Sequence, residues 1–522
     1  MADRVVAVDV GTASARAGVF AADGALLGHA ARPIRLDKPR PGWGEQASED
    51  IWRAVCAAVR AAMAQAGAGA GARPEDVRGI GFDATCSLTL RDRAGAPLAL
   101  GADGADTLCW FDHRATAEAC ACTATGHAAL ADLGGAMSPE MQTPKLMWLK
   151  RRRPDLWARL GHAFDLADFL TWRATGVAVR GHCAMVSKWG WRADQGWPLD
   201  FLRAAGLEDV IARAGLPDAA TPVGGAVGAL TAGAAAELGL APGACVASGM
   251  IDAHAGALGA LAAAPPDHAA LIAGTSTCLM TLAPAPLRIP GAWGPHNGAV
   301  SPGMWAVESG QSASGALLDH LIETHAAGGA PTAATHARIA ARIADMRARD
   351  GGDLAPRLHV LPDFNGARGP APDPRALGAL SGLTLDASFD GLCRIYWRAC
   401  VALALGVRQI ADALAAGGAP VAALRVIGGH TRNPVLMRLY ADAAGRPVIA
   451  PQEGAPDGML LGGAVAAATA AGLYPDLRAA AAAMAREGRV LPADPGAVAW
   501  LARDMRALKL MQAHRRALDA LG

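Results

Sequence analysis

Neither sign of charge is in excess along this chain: 48 Lys and Arg stand against 47 Asp and Glu in 522 residues, a formal net charge of +1. So even a balance gives no electrostatic case for nucleic acid or an anionic membrane as partner. The sharpest basic cluster, Arg151-Arg152-Arg153, ends a helical stretch just before Pro154, where cations complement the helix dipole. It reads as a solvated helix end. Long apolar runs are also lacking: stretches such as Gly458 to Tyr474 fall short of the roughly 20 strongly apolar residues a membrane span needs, and read as buried helices. Zinc spacing is missing too, since Cys120 and Cys122 are the only close pair among ten cysteines. Cys245, Cys278, Cys393 and Cys400 lie in apolar runs and read as reduced packing residues. The N-terminus enters a strand within a few residues and has no signal-peptide layout, so the cytoplasm is the expected compartment.

What is present is length and apolar content. A chain of 522 residues is too long for one core, and two domains of roughly 250 residues are the natural partition. Hydrophobic residues make up 52%, much of it alanine, which overstates the apolar area available.

The organising stretch is Val5 to Phe20, VVAVDVGTASARAGVF. Val5 to Val8 read as a buried strand, Gly11 to Ala13 as a turn, and Ala15 to Phe20 as the returning strand. Asp23-Gly24 turns the chain into a third strand, Ala25 to Ile34. A Gly-Thr turn such as Gly11-Thr12 can aim N–H groups and a hydroxyl at phosphate, and Asp9 at the strand end can hold a hydrated divalent cation. Alone, the motif is equally an ordinary hairpin with Asp9 capping its turn. A second copy at 270–282, ALIAGTSTCLMTL, repeats strand, Gly274-Thr275-Ser276 turn and strand. Two such hairpins far apart suggest a duplicated fold with nucleotide between the halves.

Between the copies, Ser48 begins a helix with Ile51, Val55, Val59 and Met63 on one face, which the stretch 67–72 ends. The strand Val77 to Phe82 delivers Asp83-Ala84-Thr85-Cys86-Ser87 at its carboxyl end, where ligands bind in open α/β sheets. Further helices are expected over Pro144–Arg152 and Asp165–Thr175, and a polar and aromatic loop over Gly181–Trp197 carries Lys188. A short strand, 244–248, feeds the helix that opens near Asp252, and the breaker cluster Ala264-Pro265-Pro266-Asp267 marks the domain boundary, giving domains 1–264 and 265–522. The later half alternates helix (389–416, 434–444, 458–471) with strand (424–427, 448–450), which argues for α/β layers in both halves.

Asp252 is the acid best placed to take a proton from an acceptor hydroxyl, because it follows a strand and stands at a helix start; an N-capping aspartate is the plainer reading. Gly428-Gly429 lets a flat ligand approach the backbone, while Asn433 can contact nucleotide or simply cap the following helix. Lys188 and Glu308 can bind sugar hydroxyls or pair with charges elsewhere. The tryptophans at 189, 191 and 197 can line a sugar site, and core or hinge packing is the plainer reading. The alanine-rich segment 326–352 suggests no function.

Taken in order, VDVGTASAR at 8–16, WFDHR at 110–114, PKLMWL at 144–149, SGMIDAHAGALG at 248–259, IAGTST at 272–277, ESGQSASG at 308–315 and GGHTRNPVLMRLYADAAGRPV at 428–448 resemble the FGGY family of carbohydrate kinases over nearly the whole chain. The resemblance implies two actin-like, ribonuclease-H-like domains with ATP and sugar in the cleft between them. It implies Asp252 as general base, Asp9 near magnesium, Gly11, Thr12, Gly274 and Thr275 as phosphate-contacting turns, and Gly429 with Asn433 on the adenine side. The segment Asp83 to Leu88 lacks the Arg-Glu pair of glycerol kinases and the Gln-Met-His of xylulokinases, and looks like the TCSL segment of the D-ribulokinase branch. Thr85, Cys86, Lys188 and Glu308 then fall at the sugar pocket. The expected activity is ATP- and magnesium-dependent phosphorylation of D-ribulose at the 5-hydroxyl, with a small-molecule sugar as partner and a homodimer as the candidate assembly. The alternatives are another polyol or ketose such as ribitol or L-ribulose, an actin-like ATPase without sugar substrate, and a catalytically silent sugar sensor.

Overall fold

The computed structural model, which describes residues 3–521 except 102 and 456, builds two seven-stranded sheets on one plan. In the first, the order is Leu26–Pro33, Ser14–Ala21, Arg4–Val10, Val77–Ala84, Cys245–Ala247, Ala226–Ala229, with Met250–Ile251 also paired to Val77–Ala84. In the second it is Trp293–Asn297, Trp305–Gln311, Thr277–Ala283, His268–Ala273, Ala423–Ile427, Val448–Ala450, Arg489–Leu491. Arg4–Val10 and His268–Ala273 play the same part: each folds back on an antiparallel neighbour across its Gly-Thr turn and lies parallel to the strand on its other side. The repeat read from the two hairpins thus extends to the sheets.

Val5, Val6, Ala7, Val8 and Val10 are all fully buried, an unbroken run rather than an alternation. The cause is cover on both faces: the helix Ser48–Ala70 packs on one side of this sheet and the helix Gly458–Ala470 on the other. That second helix comes from late in the chain. It reaches the first sheet only because glycines clear its path: a Cβ on Gly79 would lie 2.7 Å from the Ala467 carbonyl oxygen, and one on Gly259 2.6 Å from that of Gly458. The helix Asp252–Leu261 crosses it at the same closeness. These two helices join the lobes, and residues 262–267 link the first of them to the second sheet.

Several elements differ from the sequence reading. The segment 181–197 is not all loop, since His182–Lys188 is helical; its tryptophans at 189, 191 and 197 are buried in the core. The first long helix runs through Gly67 and Gly69 to Ala70 and stops at Gly71, whose φ of 61° lies in the left-handed region that favours glycine. Ser48 opens that helix without capping it, because its hydroxyl donates to Asp106 Oδ2 at 2.7 Å. Part of the segment 326–352 is the helix Ala333–Asp350. Among the described residues one helix, Phe389–Ala416, is long and apolar enough to cross a membrane by composition, and 67% of its apolar window is buried inside the fold.

Candidate active site

The two Gly-Thr turns open onto one cleft of about 660 Å³. Gly11, Thr12, Gly274, Thr275, Thr85, Cys86, Lys188, Asp252, Glu308, Gly429 and Asn433 all line it. Asp9 does not: it is fully buried behind Arg16, whose Nη2 lies 2.9 Å from Asp9 Oδ2 without the alignment of a hydrogen bond.

Each Gly-Thr turn is closed by its own backbone. Gly11 N–H donates to Ser14 O at 3.0 Å and Gly274 N–H to Ser276 O at 2.9 Å. The second turn is held further by Ser314, whose hydroxyl donates to Gly274 O at 3.1 Å. Gly428, with φ of 89°, lies so close to Ala273 that a Cβ would stand 2.7 Å from its carbonyl oxygen. Asn433 caps the helix Pro434–Ala444: its Oδ1 accepts from Val435 N and Leu436 N, and its Nδ2 donates to Tyr396 OH at 2.9 Å. The plain cap reading therefore holds for the amide oxygen, although the residue still forms part of the cleft wall. His336 and Ala340 of the helix Ala333–Asp350 line the same end, so the segment without an assigned purpose walls this half of the cleft.

Around Asp9 the charges are tightly grouped. Asp9 and Asp83 face each other in register on neighbouring parallel strands, and all four of their carboxylate oxygens are buried without a hydrogen-bond donor. Burial pushes both carboxyls well above the usual range, with the charges of Asp457 and Asp252 adding to it at Asp9 and those of Asp9 and Asp252 at Asp83. Arg16 opposes this and bridges the lobes, donating from Nη1 to Asp457 Oδ2 at 2.8 Å.

Asp252 is the first residue of its helix, directly after the strand Met250–Ile251, and its Oδ1 accepts from Ala253 N at 2.7 Å. Burial raises its carboxyl above the ordinary value, against the pull of Arg16, His254 and Lys188. Next along the helix, His254 lies 3.7 Å from Glu308 Oε2 and 3.0 Å from Cys183 Sγ. Burial alone would lower the imidazole, but contact with Cys183 and Glu308 lifts it to about 10. Glu308 responds in kind: burial would raise it, yet His254 and Lys188 hold it well below the carboxylate range. Lys188 Nζ stands 4.5 Å from the centre of the Trp293 ring. Burial works to lower its ammonium and pushes the neighbouring Cys86 thiol up to about 12, so Glu308 and Glu140 are the anions that hold it charged.

Arg16, Glu140 and His254 lay inside or beside the motifs quoted above, and Asp83 in the strand-end segment, without being assigned. Asp457, Arg368 and Trp293 had no local signal, being brought in from loops or single positions of the second lobe.

Two lobes of one plan, each presenting a Gly-Thr turn to a shared cleft, define an actin-like two-domain ATPase fold. Residues 4–259 match the N-terminal domain, and 269–471 the C-terminal domain, of the FGGY family of carbohydrate kinases. The chain belongs to that family and is an ATP-dependent sugar kinase. It is 38% identical over 513 residues to a human FGGY carbohydrate kinase domain-containing protein, covering 93% of this chain and 92% of that one. To a D-ribulokinase of Saccharomyces cerevisiae it is 34% identical over 505 residues, 86% of this chain and 69% of the other. The crystal structure of a xylulose kinase from Rhodospirillum rubrum superposes with a TM-score of 0.76 at 27% identity, covering 99% of both chains.

Proposed function

We propose that this protein phosphorylates a pentulose, D-ribulose, at its 5-hydroxyl, in the cytoplasm where ATP is supplied, with the lobes divided at residues 264 and 265. The reading is carried by Asp252, a half-buried carboxylate lining the same cleft as both phosphate turns and the Lys188–Glu308 pocket. Resemblance of the Thr85-Cys86 segment to the D-ribulokinase branch and the yeast relative support the choice of sugar.

In this reading Glu308, held ionised by His254, accepts hydrogen bonds from sugar hydroxyls, and Lys188 donates to others. Thr85 and Cys86 shape the wall nearest the strand end. Asp252 takes the proton of the 5-hydroxyl as that oxygen bonds to the γ-phosphorus; the bond from phosphorus to the β,γ-bridging oxygen breaks and its electron pair leaves with ADP. The backbone and hydroxyls at Gly11-Thr12 and Gly274-Thr275 hold the phosphates, and Gly429 with Asn433 lies on the adenine side. Closure of the lobes excludes water, which limits wasted ATP hydrolysis.

Magnesium fits the carboxylates present. The oxygens of Asp83, which have no partner, and those of Asp9, which face the Arg16 guanidinium without a hydrogen bond, suit a hydrated cation, and among the described residues no three metal-binding side chains gather to hold a bare one. Asp9 and Asp83 would therefore hold it through water, and when bound it neutralises charge on the phosphates.

A coupled ADP-release assay over D-ribulose, L-ribulose, D-xylulose and ribitol tests the proposal. D-ribulose is expected to give the highest kcat/KM; a higher value for any of the others would overturn the sugar assignment, and ATP hydrolysis indifferent to every sugar would overturn the transferase reading itself.

A further inference from the structure

One ion pair at the acceptor end crosses from lobe to lobe and takes no part in the proton and phosphoryl transfer above, although Glu140 also helps keep Lys188 charged. Arg368 Nη2 donates to both oxygens of Glu140, at 3.1 Å each, and the two residues are 228 positions apart. The pair is buried, with side chains 13% and 8% exposed, and both residues line the cleft. Burial would raise the Glu140 carboxyl, but the guanidinium brings it down to about 2. A surface contact of convenience would be solvated; this one is desolvated, which ion pairs tolerate only with close partners.

The segment that carries Arg368 is tied back on itself. Ala367 and Asp373 exchange two backbone hydrogen bonds, at 2.8 and 2.9 Å, closing a loop that contains Pro370 and Pro372. Its base is pressed onto the second lobe: a Cβ on Gly369 would stand 3.1 Å from the Gly291 carbonyl oxygen and collide with the Ser309 hydroxyl. From this strap the guanidinium reaches across Trp293 and Trp110, with ring centres at 5.4 and 5.8 Å. Trp110 in turn donates from Nε1 to Thr12 Oγ1 at 2.9 Å, which ties the acceptor wall to the phosphate turn of the first lobe. Trp293 also faces Lys188. A strap of one lobe is thus docked on a carboxylate of the other directly over the acceptor pocket.

We propose that Arg368 is a positioning residue for the acceptor: docked on Glu140, it closes the sugar pocket, so that sugar affinity and the coupling of ATP use to transfer depend on this cross-lobe pair. The three cations at this end, Arg368, Lys188 and His254, stand against three carboxylates, Glu140, Glu308 and Asp252, so the closed pocket suits a neutral polyol or ketose rather than an anionic sugar acid. The inference rests on the acceptor occupying this pocket, which a separate arm of the test examines.

The experiment compares Arg368→Lys, Glu140→Gln and the double variant for sugar KM, nucleotide affinity, and ATP hydrolysed per sugar phosphate formed. Each single variant is expected to raise the sugar KM at least tenfold with nucleotide affinity within twofold, and to hydrolyse more ATP per transfer. The double variant should be no worse than the worse single one. A smaller rise, sugar and nucleotide constants rising together, or effects that multiply in the double variant would overturn the proposal. Glu140→Gln keeps the shape of the side chain and decides the matter alone should Arg368→Lys fail to fold. Lys188→Ala in the same assay reports on the pocket: an unchanged sugar KM there would remove the acceptor from this site, whereas a raised one beside an unaffected Arg368→Lys would remove the clamp only.

Discussion

Asp252→Asn isolates the proposed base from everything around it. Asn keeps Oδ1 in place, so the 2.7 Å hydrogen bond from Ala253 N and the start of the helix survive, while proton acceptance is lost. Positioned general bases contribute about 10²–10⁴ in rate, or about 2.7–5.5 kcal/mol of barrier. Sugar phosphorylation should fall by that factor at saturating ATP and sugar. Nucleotide affinity should stay within about twofold, since the turns at Gly11 and Gly274 are closed by their own backbones. Stability moves the other way. Burial raises the Asp252 carboxyl, so the folded state resists its ionisation, and that cost appears as pH rises from the ordinary carboxylate value through the raised one. The variant should therefore melt higher than the parent at pH 8 and no higher at pH 4. Steady-state turnover by coupled assay, ADP titration and melting curves at the two pH values make the set. Turnover within tenfold of the parent would refute the role of Asp252.

The same reasoning extends to its neighbours. Glu308→Gln leaves His254 as an unpaired buried cation, which should destabilise the fold by about 3–5 kcal/mol in urea titrations at pH 7. The raised His254 pKa supplies stability that is complete below the ordinary imidazole value of 6.5 and is lost as pH climbs through about 10; melting temperature should decline over that window in the parent and less steeply in His254→Asn. A divalent cation must displace the proton favoured on the Asp9–Asp83 pair, so the melting shift caused by MgCl2 with ADP should be larger at pH 8 than at pH 6, and Asp83→Asn should erase that difference. Gly462→Ala would drive a methyl into the Ala255 carbonyl where the lobes join, at a cost of about 1–3 kcal/mol by chemical denaturation.

What the sequence determined by itself is what short-range chemistry encodes. A run of valines before Gly11, its echo before Gly274, and an acid after a strand at Asp252 are readable because strand, turn and helix start are set by residues a few positions apart. Those same stretches carry the family resemblance, so most of the cleft lining was legible. Where the local reading failed, packing had overridden it: the helix His182–Lys188 forms in a stretch with the composition of a loop, and Ser48 gives its hydroxyl to a buried Asp106 instead of to its own helix. Only the tertiary structure could decide that Asp9 lies behind Arg16 rather than in the cleft, that the helix Gly458–Ala470 crosses to the first sheet, and that Arg368 finds Glu140. Contacts between residues hundreds of positions apart leave no period or spacing along the chain; desolvation and close packing bring those partners together, and both exist only once the lobes have folded.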